Sequence, residues 1–183
     1  DESGVQLAPF DSLSGVSPGA TISHLAEPPS LAWPLSPPPG LVIDCLGVRM
    51  EEQPFTNTQT VSLPISHSPP PLLSRRPINS QMHTGRAAID LCSPIGYGQR
   101  VGLFAGPGVG KSTLLGMIAR HAQVDRVIIA LVGERGREVG DFIRETLGEE
   151  GRDRSTIVVA TSDESAVRRK CAPYTATAIA EFY

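Results

Sequence analysis

The hydrophobic positions follow a regular pattern from Gln99 onwards. Three short apolar runs have the length and composition of strands that are buried on both faces of a sheet. They are RVGLFA at 100–105, RVIIALV at 126–132 and TIVVATS at 156–162. Because stretches with helical spacing alternate with these runs, the sequence predicts an α/β fold in which right-handed crossovers build a parallel sheet.

Three amphipathic helices are predicted between and after the apolar runs. The first extends from Ser112 to about residue 122. The second extends from about residue 138 to 147 and is expected to end at Gly148, because glycine is a common helix stop. The third is expected to begin after a cap at residues 161–163, and Pro173 is expected to split it, since proline is well accommodated only in a first turn.

The first half of the chain has a different composition. Fifteen of the seventeen prolines fall within residues 1–94, which restricts this part to loops and sheet edges between short runs such as ATI and LVIDCL. It therefore predicts a small β unit, in which Trp33 is partly buried. The proline cluster HSPPPLLSRRP predicts an extended connector. We accordingly divide the chain into a β unit at 1–54, a connector at 55–84 and an α/β unit at 85–183.

Composition and charge exclude several classes of protein. With a net charge of -3, the 183-residue chain lacks the basic surface of a dedicated nucleic-acid binder. The run VIIALV is far shorter than the ~20 apolar residues that cross a bilayer, and the start DESG does not resemble a signal peptide. The three cysteines form no CxxC pair, and the histidines are scattered. We therefore expect a cytoplasmic protein that is at most peripheral to a membrane.

The stretch AGPGVGKST at 105–113 lies between the first run and the first helix. Glycines let backbone N–H groups approach a ligand, and a helix N-terminus adds partial positive charge, so this turn is suited to phosphate. Lys111 is expected to neutralise the β- and γ-phosphates of ATP, and the Ser112 hydroxyl to ligate Mg²⁺. The alternative is an incidental glycine-rich turn, which the flanking strand and helix disfavour. The predicted nucleotide-binding residues are Gly106, Pro107, Gly108, Val109, Gly110, Lys111, Ser112 and Thr113.

A second candidate motif, GERGREV at 133–139, follows the run RVIIALV. Open parallel sheets bind their ligands at the carboxyl ends of their strands, so a carboxylate here is expected to face the phosphates. Glu134 could accept a proton from the attacking water or orient that water, an effect typically worth ~10²–10⁴ in rate. Alternatively, Glu134 is a structural residue that pairs with Arg135 or Arg137. The spacing leaves both interpretations open.

The chain resembles the flagellar and type III secretion export ATPases, which are relatives of the ATP synthase catalytic subunits. The segments that carry this resemblance are AGPGVGKSTLLGMIAR and, after it, IIALVGERGREVGDFI. The resemblance extends to TGRAAIDLCSPIGYGQRVGLFAG and TSDESAVRRKCAPYTATAIAEFY, and GVSPGATI and LVIDCLG resemble the later strands of the family's N-terminal barrel. It implies a RecA-like P-loop NTPase core preceded by a partial small β-barrel. It also implies Mg²⁺ and ATP as cofactors, and catalytic roles for Lys111, Glu134 and Arg135. The implied partners are like subunits in a ring, expected to be a homohexamer, and proteins of the export apparatus.

The resemblance also implies that parts of the family's machinery lie outside this chain, including the Walker B strand and an arginine finger. Because such a finger contributes about 10³–10⁵ in rate, we expect this chain alone to hydrolyse ATP weakly or not at all.

A subunit of a proton-translocating rotary ATPase has the same site chemistry and is the main alternative. A nucleotide-sensing module without turnover is a further one. A ring translocase of nucleic acid is disfavoured by the 5% aromatic content and the acidic charge. The run 168–170 (RRK) is expected to form a solvated helix face.

Overall fold

The computed structural model describes residues 7–23, 29–50, 58–66, 68–106 and 108–183. Pro107 of the predicted phosphate loop lies outside the described residues. In chain order, the elements are β1 (Ser30–Pro34), β2 (Val42–Asp44), β3 (Thr60–Pro64), a 3₁₀ turn (Leu72–Ser74), β4 (Gln81–Met82), α1 (Ala87–Cys92), β5 (Ile95–Gly96), α2 (Lys111–His121), β6 (Val127–Val132), α3 (Gly136–Asp141), a π-helical turn (Phe142–Leu147), α4 (Gly148–Asp153), β7 (Ser155–Ala160) and α5 (Ala166–Phe182).

A parallel sheet with strand order β2-β7-β6 organises the fold, as the sequence predicts. All six residues of β7 are buried because this strand has a neighbour on each side. Its side chains alternate between two cores. Ile157 and Val159 pack with α2, α3 and the π-helical turn, whereas Val158 and Ala160 pack with β1 and α5. The sheet is therefore the middle of three layers, and α2 is held against one of its faces.

The predicted strand at 100–105 is wrong. Residues 101–106 have no regular secondary structure, and the Phe104 side chain is 94% exposed. An apolar run forms a strand only when a neighbouring strand accepts and donates its backbone hydrogen bonds. In the described part of the chain, β2 and β6 occupy both edges of β7, and no strand pairs with residues 101–106.

The proline-rich half contributes to the same core as the α/β half. The strand β1 of the predicted β unit pairs antiparallel with β3, which lies within the stretch expected to be connector. The run ATI at 20–22 forms no strand, so that part of the prediction is wrong. Trp33 is fully buried rather than partly buried, since it packs into a cluster that contains Ala172 and Ile179 of α5. The strand β2, predicted to belong to the β unit, pairs with β7 instead. The division at residues 54 and 84 stays a prediction.

The helix α2 has nearly the predicted bounds, whereas the later helices differ from the prediction. Gly148 has a positive φ of 66°, yet helical structure resumes as α4 and ends at Asp153. The third helix is capped by Ser165, whose hydroxyl accepts the Arg168 N–H at 3.2 Å, so the predicted cap at 161–163 is wrong. Pro173 lies inside α5 without splitting it. The proline removes one backbone donor, and burial of this helix against the sheet outweighs that loss.

The described residues contain no helix that is both long and apolar enough to cross a membrane.

Asp90 of α1 holds the turn before this helix and makes stability depend on pH. Its Oδ1 accepts the Thr84 N–H at 2.9 Å and the Thr84 hydroxyl at 2.7 Å, and its Oδ2 accepts the Gly85 N–H at 3.2 Å. Thr84 is completely buried. These bonds, the one from the Thr84 N–H first among them, favour the charged carboxylate and hold the pKa of Asp90 below its ordinary value of 3.8.

We expect Asp90→Asn to lower the melting temperature near neutral pH and to have a smaller effect in acid. Because the folded-state pKa is lower than the unfolded one, the charged group stabilises the fold above pH 3.8, and this contribution is lost as the pH falls through the folded-state value. Thermal unfolding of both proteins, followed by circular dichroism across the acid range, measures the difference. A difference that stayed constant with pH would contradict the assignment.

Candidate functional site

The phosphate-loop sequence forms an open turn that leads directly into α2. Gly108 and Gly110 have φ values of 74° and 94°, which residues with a Cβ rarely adopt. Gly110 is the N-cap of α2 and has no side chain that could cap the first turn of this helix. The leading N–H groups of α2 are therefore free to bind an anion, and Lys111 and Ser112 are its first two residues.

One cavity of about 830 Å³ joins three of the predicted site residues. Its lining includes Lys111 and Ser112 from α2 and Glu134 from the carboxyl end of β6, together with apolar side chains of α2, β6 and α3. A positively charged group, a hydroxyl and a carboxylate thus face one space at the edge where a parallel sheet binds ligands. The other predicted residues do not line it: Gly106, Gly108, Val109, Gly110, Thr113 and Arg135.

Glu134 is held through its backbone while its side chain is exposed. Gly133, with φ at 76°, donates its N–H to the Ala160 carbonyl at 2.8 Å, and Ser162 donates its N–H to the Glu134 carbonyl at 2.9 Å. Within the described ranges, no ion pair joins the Glu134 carboxylate to Arg135 or Arg137. The alternative of a structural ion pair is therefore unsupported, and the carboxylate is available to act on a ligand.

Ser112 could hold Mg²⁺ only together with oxygen ligands from a nucleotide. Among the described residues, no group of three or more His, Cys, Asp or Glu side chains is arranged to bind a metal ion. Mg²⁺ in nucleotide sites is bound by few protein oxygens, and phosphate oxygens and water complete its shell. A single hydroxyl beside the free N–H groups of α2 fits that pattern.

The far end of α2 is anchored by contacts that the sequence analysis missed. Arg154, directly before β7, donates to the carbonyls of Arg120 and Ala122 at 2.9 and 2.8 Å and also to that of Val124. These carbonyls lie at and just beyond the C-terminus of α2, where helices leave acceptors unpaired. A positive charge at this end also complements the helix dipole. No local sequence signal indicates this contact, because Arg154 is at least thirty residues from its acceptors.

Gly116 lets α2 approach the π-helical turn closely, and we expect Gly116→Ala to destabilise the fold by about 1–3 kcal/mol. A Cβ there would overlap Thr146 Cγ2 and come within 2.9 Å of the Thr146 carbonyl oxygen. Denaturant unfolding measures the effect. Gly136→Ala in α3 is the matched control, since a Cβ there meets nothing within 4 Å. Equal stability of the two variants would contradict the close packing.

The parallel sheet and the loop at the start of α2 define a phosphate-loop nucleotide-binding protein of the α/β class. Residues 85–183 match the model of the ATP synthase alpha/beta family, nucleotide-binding domain. The chain belongs to this family.

Two curated relatives are similar to the chain over nearly its whole length. The flagellum-specific ATP synthase of Bacillus subtilis is 44% identical over 185 residues, which cover 100% of this chain and 41% of the relative. The type 3 secretion system ATPase of Xanthomonas euvesicatoria is 45% identical over 178 residues, which cover 97% of this chain and 40% of the relative. The chain thus spans about two fifths of the length of these relatives.

Solved structures confirm the predicted fold class. The assembled ATPase EscN from the type III secretion system of enteropathogenic E. coli has a TM-score of 0.82 and 38% identity, over 95% of this chain and 42% of that chain. EscN in complex with its central stalk EscO has a TM-score of 0.83, with the same identity and coverage. The nucleotide-binding core of the export ATPases is therefore the fold of this chain.

Proposed function

We propose that this chain is part of a ring-forming export ATPase that hydrolyses ATP and so energises or primes flagellar or type III protein secretion. The observation that carries the proposal is the single cavity lined by Lys111, Ser112 and Glu134. Both kinds of relative support it, since one is named a flagellum-specific ATP synthase and the other a type 3 secretion system ATPase.

Each residue has a distinct role in the proposed chemistry. The N–H groups from Gly108 to Ser112 wrap the β-phosphate, and the Lys111 ammonium offsets the negative charge of the β- and γ-phosphates. The Ser112 hydroxyl would hold Mg²⁺, which would supply positive charge beside the phosphates. Glu134 orients the attacking water or accepts its proton. Arg135 is the N-cap of α3 and directly follows Glu134 in the sequence. We assign it an assisting role at the γ-phosphate.

The remaining loop residues contribute backbone groups and shape. We assign Gly106, Pro107, Val109 and Thr113 to the nucleotide-binding loop on the strength of the motif. Pro107 has no N–H and therefore cannot donate a backbone hydrogen bond to phosphate.

Assembly and partners are proposed on the same basis. EscN is described as an assembled ATPase and in complex with a central stalk. We propose that this chain likewise takes part in a ring of like subunits, a homohexamer, that contacts export-apparatus proteins. A cytoplasmic location, peripheral to the inner face of the cell membrane, follows from that role.

A subunit of a proton-translocating rotary ATPase is the second candidate, since the matching family model is that of the ATP synthase alpha/beta family. The names of the similar relatives favour the export function. The acidic charge and the 5% aromatic content continue to disfavour a nucleic-acid translocase.

Calorimetric titration of the folded protein tests the proposal. Mg·ATP and magnesium tripolyphosphate are expected to bind, whereas adenosine is expected to bind far more weakly, because the loop recognises phosphate. Binding of adenosine and tripolyphosphate with equal affinity, or absence of Mg·ATP binding, would overturn the proposal.

A further inference from the structure

Arg168 of α5 is a largely buried cation that contacts three carboxylates. Its side chain is 18% exposed, so the predicted solvated helix face is wrong at this position. The guanidinium lies 3.2 Å from Asp44 Oδ2 at the end of β2, 3.0 Å from Asp11 Oδ1, and 3.5 Å from Glu164 Oε2. Asp44 and Glu164 are themselves only 17% and 20% exposed. Because water screens these pairs poorly, the arrangement is stronger than a surface salt bridge.

Glu164 connects Arg168 to the turn that follows β7. Its second carboxylate oxygen, Oε1, accepts the Thr161 N–H at 2.9 Å, and its own N–H donates to the Thr161 carbonyl at 3.1 Å. Thr161 and Glu164 are thus joined by two hydrogen bonds, one through the Glu164 side chain and one through its backbone. Arg168 therefore restrains this turn through the carboxylate of Glu164.

The same turn holds the backbone of Glu134. Ser162 lies inside it and donates its N–H to the Glu134 carbonyl at 2.9 Å. One residue earlier, Gly133 donates to the Ala160 carbonyl at 2.8 Å, so hydrogen bonding between β6 and β7 continues past the ends of both strands. Among the described residues, no ion pair holds the exposed Glu134 carboxylate, so the region that this group can reach depends on where the backbone of residue 134 lies.

We propose that Glu164 and Arg168 are positioning residues for Glu134, which they restrain through the turn at 161–164. The assignment rests on the proposed function, in which Glu134 acts on the attacking water. Small displacements of a catalytic group cost large factors in rate, so a restraint of this kind has a chemical consequence. Arg168 also forms ion pairs with Asp11 and Asp44. It therefore connects the N-terminal half of the chain to the turn that restrains the backbone of Glu134.

Glu164→Gln and Arg168→Lys test the proposal without any nucleotide. The first replaces a charged acceptor by a neutral amide of the same size, and the second keeps the charge but loses the planar fork that contacts several carboxylates. Glu150→Gln in α4 is the matched control, since Glu150 is exposed. Two signals are read: hydrogen exchange of the Ser162 amide, and the ¹³C resonance of the Glu134 carboxyl group, assigned by its loss in Glu134→Gln.

We expect both variants to speed exchange at Ser162 by about tenfold or more, since a hydrogen bond to a charged group contributes about 1.5–3 kcal/mol. The Glu134 resonance is expected to shift or broaden in both, and to be unchanged in the control. A purely structural role would speed exchange throughout β7 and α5 and leave the Glu134 resonance in place.

Unchanged exchange at Ser162 together with an unchanged Glu134 resonance would overturn the proposal. If Arg168→Lys does not fold, Glu164→Gln decides the question by itself, because it replaces a carboxylate by an amide of the same size. Failure of the proposed function is seen separately, as absence of Mg·ATP binding by the unmodified protein, whereas both readouts here are independent of nucleotide.

Discussion

Replacing Glu134 by glutamine is expected to slow ATP hydrolysis by about 10²–10⁴-fold in the assembled ATPase, the range typical for loss of a general base. Glutamine keeps the size of the side chain but cannot accept a proton from water. Mg·ATP affinity is expected to stay within about twofold, because phosphate binding depends on the loop and Lys111 rather than on this carboxylate. Phosphate release under steady-state conditions measures the rate, and calorimetry measures the affinity.

Glu145→Gln is the matched control for this experiment. Glu145 lines the same cavity and is exposed, and the proposed chemistry gives it no role. Loss of its charge is expected to leave hydrolysis nearly unchanged. Equal rates for Glu134→Gln and the unmodified protein would remove Glu134 from the mechanism, and equal losses in both variants would mean that the charge of the cavity matters rather than the position of one carboxylate.

Replacing Lys111 by alanine is expected to weaken the binding of Mg·ATP and of magnesium tripolyphosphate by about 10–100-fold. Hydrogen bonds to charged groups typically contribute 1.5–3 kcal/mol, which corresponds to about 10–100-fold in affinity. Lys111 is the first residue of α2, so its ammonium group is the cation that the loop supplies to a bound phosphate. Binding of adenosine is expected to be unaffected, since that ligand carries no phosphate. Calorimetric titration with the three ligands separates the charge contribution from general damage to the fold.

Lys170→Ala is the matched control because Lys170 is the only other lysine of the sequence, and it is exposed on α5. The two variants change the net charge equally, so a general electrostatic effect would be the same in both. If Lys170→Ala weakened Mg·ATP binding as much as Lys111→Ala, the loop lysine would have no specific role.

Structural features that depend on short stretches of the chain could be predicted from the sequence. The apolar runs at 126–132 and 156–162 form neighbouring parallel strands, as predicted, and α2 begins within one residue of its predicted start. Burial on both faces is confirmed for β7 but is wrong for β6, whose residues are half-buried or exposed because β6 is an edge of the described sheet. The glycines at 108 and 110 adopt the positive φ values that the phosphate-loop motif implies. In each case the deciding interactions join residues close in sequence, or depend on the burial of one continuous run.

Contacts between distant residues were not predictable from the sequence. The run at 100–105 is apolar like the two strands but lies outside the sheet of the described residues, because strand formation also requires a partner. Val42–Asp44 gains such a partner in β7, more than one hundred residues away. Arg168 belongs to a charge run that is ordinarily solvated, and it is buried because Asp44 and Glu164 approach it in the folded chain.

The sequence by itself thus determined the glycine-rich turn at 105–113, the helix that follows it and the two parallel strands, since local backbone preference and the apolar character of single runs decide these features. Tertiary structure alone decided that β2 joins the sheet and that α5 continues through Pro173. These outcomes depend on which surfaces meet when the chain closes on itself, and the free energy of such contacts is a property of pairs of distant residues.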